Sequence, residues 1–119
     1  MIDVVIDNVI RSQVVEDYIS FFENKNIEVI GTLFADDCSL TDWNFGEISG
    51  KENVINVFKK IFESFDKIKT ETIHIHEDHD GIIILEMILF LDNEEMLVAD
   101  IFEFDKDDKI KALRAYKGN

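Results

Sequence analysis

A phenol and two carboxyl groups, on Tyr18, Asp42 and Asp100, stand on or beside apolar faces of this chain. Groups of these types give and take protons, so a cavity that gathered them could move a proton on a bound molecule. Asp100 is the most informative of the three. It lies in MLVADIFEFD (96–105), which reads as a strand because β-branched and aromatic residues dominate it. Side chains alternate along a strand, so Met96, Val98, Asp100, Phe102 and Phe104 share one face. All but the aspartate are large and apolar, which marks that face as core. A carboxylate there loses its hydration and must find a partner or keep its proton at neutral pH.

Each of the three residues also has an ordinary reading. Tyr18 falls on the apolar stripe of a helix, and its hydroxyl could reach water or a carbonyl oxygen. Asp42 shares strand parity with Leu40 and Cys38, and an acid at a strand end often caps a turn. A β-bulge would rotate Asp100 out to solvent.

The elements that must position them follow an order of helices first, then strands. Val14, Val15, Tyr18, Ile19, Phe21 and Phe22 recur at helical spacing, and the period reaches back toward Asp3. Asn26 is the expected N-cap of a short second helix carrying Ile27, Ile30, Leu33 and Phe34. ADD (35–37) is expected to end it, and CSLTDW (38–43) reads as a short strand. Ser49 and Glu52 have capping-box spacing before a third helix, whose Val54, Val57, Phe58, Ile61, Phe62 and Phe65 trace one stripe. Four strand-like runs follow, at 67–77, 82–91, 96–105 and 109–117, joined by the short links HDG (79–81), DNEE (92–95) and KDD (106–108). Asp80-Gly81 is a strong hairpin signal. Consecutive strands with short turns make an antiparallel meander that helices must cover, so the class is α+β.

The chain has 119 residues, of which 46% are hydrophobic, ten of them phenylalanine, so one domain over 1–119 with a single core is expected. Net charge is −14, a surface that repels phosphate backbones, so nucleic acid and anionic membranes are excluded as partners. IIILEMILFL (82–91) is too short to span a bilayer and carries Glu86. No leader-like segment opens the sequence, and the single cysteine, Cys38, cannot form an internal disulfide. The expected location is the cytoplasm.

The residues and their order resemble the ketosteroid isomerase branch of the nuclear transport factor 2-like (SnoaL-like) superfamily. VVEDYISFFENKNIEVIGTLFADDCSLTDW (14–43) is similar to the family's opening, ISGKENVINVFKKIF (48–62) to its third helix, and ADIFEF…KIKALRAYKG (99–118) to its last two strands. The resemblance implies a curved antiparallel β-sheet wrapped by three N-terminal helices, a cystatin-like cone with a deep apolar pocket, in a homodimer. It places an oxyanion-binding tyrosine on Tyr18, a general base on Asp42 and a neutral oxyanion-binding acid on Asp100. Ketosteroid isomerases keep such a carboxylic acid protonated by an apolar site. Pocket walls are then expected from Phe22, Phe58, Phe62, Met87, Val98, Phe102 and Leu113. The implied activity is proton transfer next to a carbonyl on a small hydrophobic molecule, without cofactor. The alternative is a non-catalytic ligand-binding or dimerisation module of the same fold.

Two positions depart from the family pattern. Phe58 stands where the family often has a second tyrosine bonded to the first, and Asp42-Trp43 replaces the usual Asp-Pro step. Elsewhere, His74, His76 and His79 form H-x-H-x-x-H, whose spacing matches no strong metal signature, so no metal is expected. Cys38 reads as buried and inert.

Overall fold

In a computed structural model, residues 2–118 are described, with side chains from Asn8 onward. The first helix, α1 (Ile2–Glu23), turns Val15, Tyr18 and Phe22 inward, at helical spacing. Lys25 then takes a left-handed backbone (φ 54°), and a single turn, α2 (Ile27–Ile30), runs into a 3-10 turn at Gly31–Leu33. This second helix is shorter than expected. Asn26 sits at its N-cap without a side-chain capping bond, though its carbonyl accepts from Val29 and Ile30. Phe34 and the ADD segment belong to the next strand, β1 (Phe34–Asp42), rather than to a helix end. Phe34 is buried there, whereas Asp36 and Asp37 point to solvent.

A short strand absent from the sequence reading, β2 (Gly46–Ser49), folds back on β1 and pairs Ser39 with Ser49 and Asp42 with Gly46. That pairing is why the expected capping box does not form. Ser49 is extended, and Gly50 takes the N-cap of α3 (Lys51–Ser64), at φ 91° and without a side-chain cap. Glycine reaches this backbone conformation at no steric cost. The Gly50 carbonyl accepts from Val54 at 2.9 Å and its N–H donates to Cys38 at 2.8 Å, which ties the start of α3 to β1. Val54, Phe58 and Phe62 form the buried line of α3, and Val57, Ile61 and Phe65 a half-buried line beside it.

The remaining strands are β3 (Ile68–Glu77), β4 (Ile83–Leu91), β5 (Glu94–Phe104) and β6 (Ile110–Lys117). With them the sheet has six strands in the order β2-β1-β6-β5-β4-β3. All neighbours are antiparallel except β1 and β6, which run parallel, so the sheet is mixed. The α+β class and the three helices are as the sequence reads. Acidic side chains shape two turns. Asp78 Oδ1 accepts from the N–H of Asp80 and Ile82, and Asp105 Oδ1 from those of Asp107 and Lys109. Arg11 anchors α1 to both turns, pairing with Asp108 at 2.7 Å, donating to the carbonyls of Asp105 and Gly81, and lying over the Phe104 ring.

The core lies between the helices and one sheet face. On β5, Met96, Val98, Asp100 and Phe102 are buried while Leu97 is exposed on the other face. A bulge between Glu103 and Phe104 leaves Phe104 half-buried. No helix among the described residues is long and apolar enough to cross a membrane. Truncating Phe102, which is fully buried, to alanine is expected to cost about 3–5 kcal/mol. Glu71→Ala on exposed β3 should stay within about 0.5 kcal/mol, both read by urea denaturation.

Candidate functional site

Two helices and four strands meet around one small cavity. α1 supplies Tyr18, the end of β1 supplies Asp42, the middle of β5 supplies Asp100, and α3 closes the side with Phe58 and Ile61. Tyr18, Asp42 and Asp100 therefore line the same space, as do Phe22, Met87, Val98 and Leu113 among the expected wall residues. Phe62 and Phe102 do not line it. Phe62 packs behind Phe22 at 5.7 Å between ring centroids, and Phe102 sits edge-on to Tyr18 at 5.3 Å. Sequence reasoning missed Leu40, Trp43, Ile61, Leu89 and Ala115. Alternation with Asp42 could have found Leu40, and the α3 stripe Ile61; Ala115 needed the pairing register of β5 and β6.

Asp100 keeps its inward direction because the ladder around it is unbroken. It pairs with Leu85 on β4 and Ala115 on β6, and the bulge of β5 comes only after Glu103. With 3% of its surface exposed, it is the one buried charged-type residue among those described. Burial, and next the charge of Asp42, push its carboxyl up to about 7. The acid is thus mostly neutral in mildly acidic solution and balanced between its two forms near neutrality.

Tyr18 is held by rings rather than by a partner phenol. Phe22, Phe34, Phe58 and Phe102 surround it at centroid distances of 5.8, 6.3, 5.9 and 5.3 Å, three of them edge-on. Edge-on pairs add roughly 0.5–1.5 kcal/mol each beyond area burial, enough to fix the ring. Phe58, where a second tyrosine was absent from the sequence pattern, contributes one of these contacts. Burial, then Asp100, then Asp42, raise the Tyr18 phenol well above its ordinary value, so it stays a hydrogen-bond donor.

Asp42 ends β1, as the sequence suggested, and is only partly buried. Its Oδ1 accepts the Asn44 N–H at 2.8 Å, a turn-capping bond that also fixes the carboxyl at the cavity edge. Burial raises its carboxyl and the Asn44 bond lowers it. Of the two acids, Asp100 is the deeper, so it keeps the proton more readily and Asp42 is the one more easily ionised.

The inner cavity holds about 40 Å³, room for roughly three waters. A larger outer cavity of about 480 Å³ adjoins it and shares Phe22, Asp42, Trp43, Ile61 and Leu89. Ligand pockets for small organic molecules span about 300–1,000 Å³, so the outer space fits a molecule's body and the inner one only a polar tip. Away from this site, His76 pairs with Glu86 and packs against His74 at 4.2 Å on the exposed part of β3. Cys38 is fully buried, and burial raises its thiol.

A profile of the SnoaL-like domain matches residues 15–113, which includes Tyr18, Asp42 and Asp100. No curated protein matches the chain. Among solved structures, a SnoaL-like protein of unknown function from Burkholderia thailandensis superposes with TM-score 0.82 at 15% identity, covering 93% of this chain and 96% of that one. The epoxide hydrolase/cyclase-like enzyme SalBIII, of pyran ring formation in the polyether salinomycin, gives 0.80 at 15% identity over 91% and 90%. An epoxide hydrolase from M. tuberculosis gives 0.77 at 18% identity over 92% and 84%. At such identities the structures share the fold alone. With most of its length matched by the family profile, the chain belongs to the SnoaL-like (nuclear transport factor 2-like) family.

Proposed function

We propose that the cavity is a proton-transfer site of the ketosteroid isomerase type, acting next to the carbonyl of a small hydrophobic molecule. One observation carries this reading: Tyr18, Asp42 and a deeply buried Asp100 line a single small apolar space. A proton α to a carbonyl is weakly acidic, so its removal needs a placed base and a stabilised oxyanion. Asp42, as carboxylate, takes the proton and returns it elsewhere on the same face. The Tyr18 hydroxyl and the neutral Asp100 carboxyl donate hydrogen bonds to the oxygen as it gains charge. One such donor is worth roughly 3–4 kcal/mol in comparable sites, because water is excluded. The step calls for no cofactor, since base and both donors are side chains.

The small inner volume favours a second reading, in which the fold binds an apolar ligand in the outer cavity without turnover. The two separate at Asp42. Under the catalytic reading Asp42→Asn abolishes proton exchange on a bound ketone and leaves binding in place; under the second, wild type exchanges none. The exposed Ile73, Leu97 and Tyr116, around a hollow on the outer sheet face, support self-association into a homodimer. Isolated exposed apolar residues are common, but a cluster is characteristic of interfaces.

A fluorescent phenol that mimics an enolate is expected to bind wild type at pH 6 about ten- to a hundredfold more tightly than Tyr18→Phe or Asp100→Asn, the range of a hydrogen bond to a charged group. Equal binding by all three proteins contradicts the oxyanion assignment. Asp100 also leaves a signature in stability. The folded state holds its proton up to about pH 7, while the unfolded chain releases it near 3.9. The folded state therefore binds more protons between these values, and the stability from Asp100 falls as pH rises through that window. Relative to Asp100→Asn, wild type is expected to lose about 2 kcal/mol between pH 5.5 and 8 in urea denaturation. A constant difference refutes the shifted acid. For the dimer, sedimentation of Leu97→Glu should give a monomer where wild type gives a dimer; monomeric wild type removes the proposal.

A further inference from the structure

We infer that Lys60 anchors the anionic end of an amphipathic substrate, an organic acid whose apolar body fills the outer cavity. This rests on the proposed function for the inner end of the molecule, but reads a separate part of the site. The outer cavity is walled mainly by apolar side chains, among them Trp43, Phe45, Val57, Phe65 and Leu91. Its titratable groups are two, Asp42 at the boundary with the inner cavity and Lys60 on α3. Among the described residues, the ion pairs join other partners, so the Lys60 ammonium is left for a ligand. Lys60 and the acid one turn on, Glu63, are both exposed, and of the two only Lys60 lines the cavity.

Charge distribution gives this cation its meaning. The chain carries −14 overall, and a field of that sign disfavours small anions at most points of the surface. Lys60 supplies a local exception at the rim, while the Asp42 carboxylate repels an anion from the inner end. A molecule with one acidic end is thereby bound in a single direction, acid outward to Lys60 and the reacting end inward toward Tyr18, Asp42 and Asp100. A neutral molecule gains no such orientation. The substrate class that fits is an apolar acid with a second, reactive oxygen function remote from the acid group.

Two dyes with the same aromatic body separate the anion from the apolar part: 8-anilino-1-naphthalenesulfonate and the neutral N-phenyl-1-naphthylamine. Lys60→Gln is expected to weaken the sulfonate about three- to tenfold, at and somewhat above the range of an exposed ion pair, and the neutral dye by less than about twofold. Added salt should shrink the wild-type preference. Lys117→Gln, at the hollow on the outer sheet face, should change neither. Unchanged sulfonate binding in Lys60→Gln, or a loss in Lys117→Gln instead, overturns the inference. The phenol and exchange experiments on Asp100 and Asp42 read the inner cavity, so either result can fail while the other stands.

Discussion

Removing the Asp100 carboxyl from water is the constraint on which the site depends. In an apolar interior an ionised carboxylate is strongly disfavoured, and the group answers by keeping its proton. Here the surroundings push the carboxyl up to about 7, so it holds its proton in mildly acidic solution. Leu85 and Ala115 flank it across the sheet, Val98 and Phe102 lie on its own face, and the aromatic cluster of Tyr18 closes the top. The same walls that hold the acid neutral also hold the phenol ring, so one apolar core prepares two hydrogen-bond donors at once. A neutral acid is a far better donor to a developing oxyanion than a carboxylate, which would repel it.

The fold delivers these groups by separate means. Asp42 arrives at a strand end, where an Asn44 N–H fixes it, and half-burial leaves it the easier of the two acids to ionise. Tyr18 arrives on the long helix, held in register by Arg11, whose pair with Asp108 clamps α1 to the far end of the sheet. The α3 helix has two adjacent lines of apolar side chains. Val54, Phe58 and Phe62 fill the core, whereas Val57, Ile61 and Phe65 turn toward the outer cavity with Lys60. That division places cavity-lining surface and packing surface on one element.

Local patterns in the sequence foretold much of this, and long-range pairing did not. Strict alternation on β5 located Asp100, and the helical stripe located Tyr18 and Phe58, because each signal lies within a single element. Alternation could not say which buried aromatics face a cavity. Phe62 and Phe102 are as buried as the residues that line it, but a neighbour covers each of them. The β2 strand was missed because GEIS is four residues, mostly exposed, with no apolar alternation. The Ser49 and Glu52 spacing looked like a cap, yet strand pairing of Ser49 with Ser39 took precedence over local helix chemistry. The parallel pairing of β1 with β6 joins segments far apart in the chain, so nothing local records it.

The most direct measurement is the titration of the Asp100 side-chain carboxyl itself, by NMR of protein carrying 13C-labelled aspartate, with Asp100→Asn to assign its signal. The account predicts a carboxyl resonance that remains in its protonated position through pH 5 and changes with a midpoint near 7. A midpoint near 4, the range of a solvated aspartate, contradicts the neutral acid and with it the proposed oxyanion role.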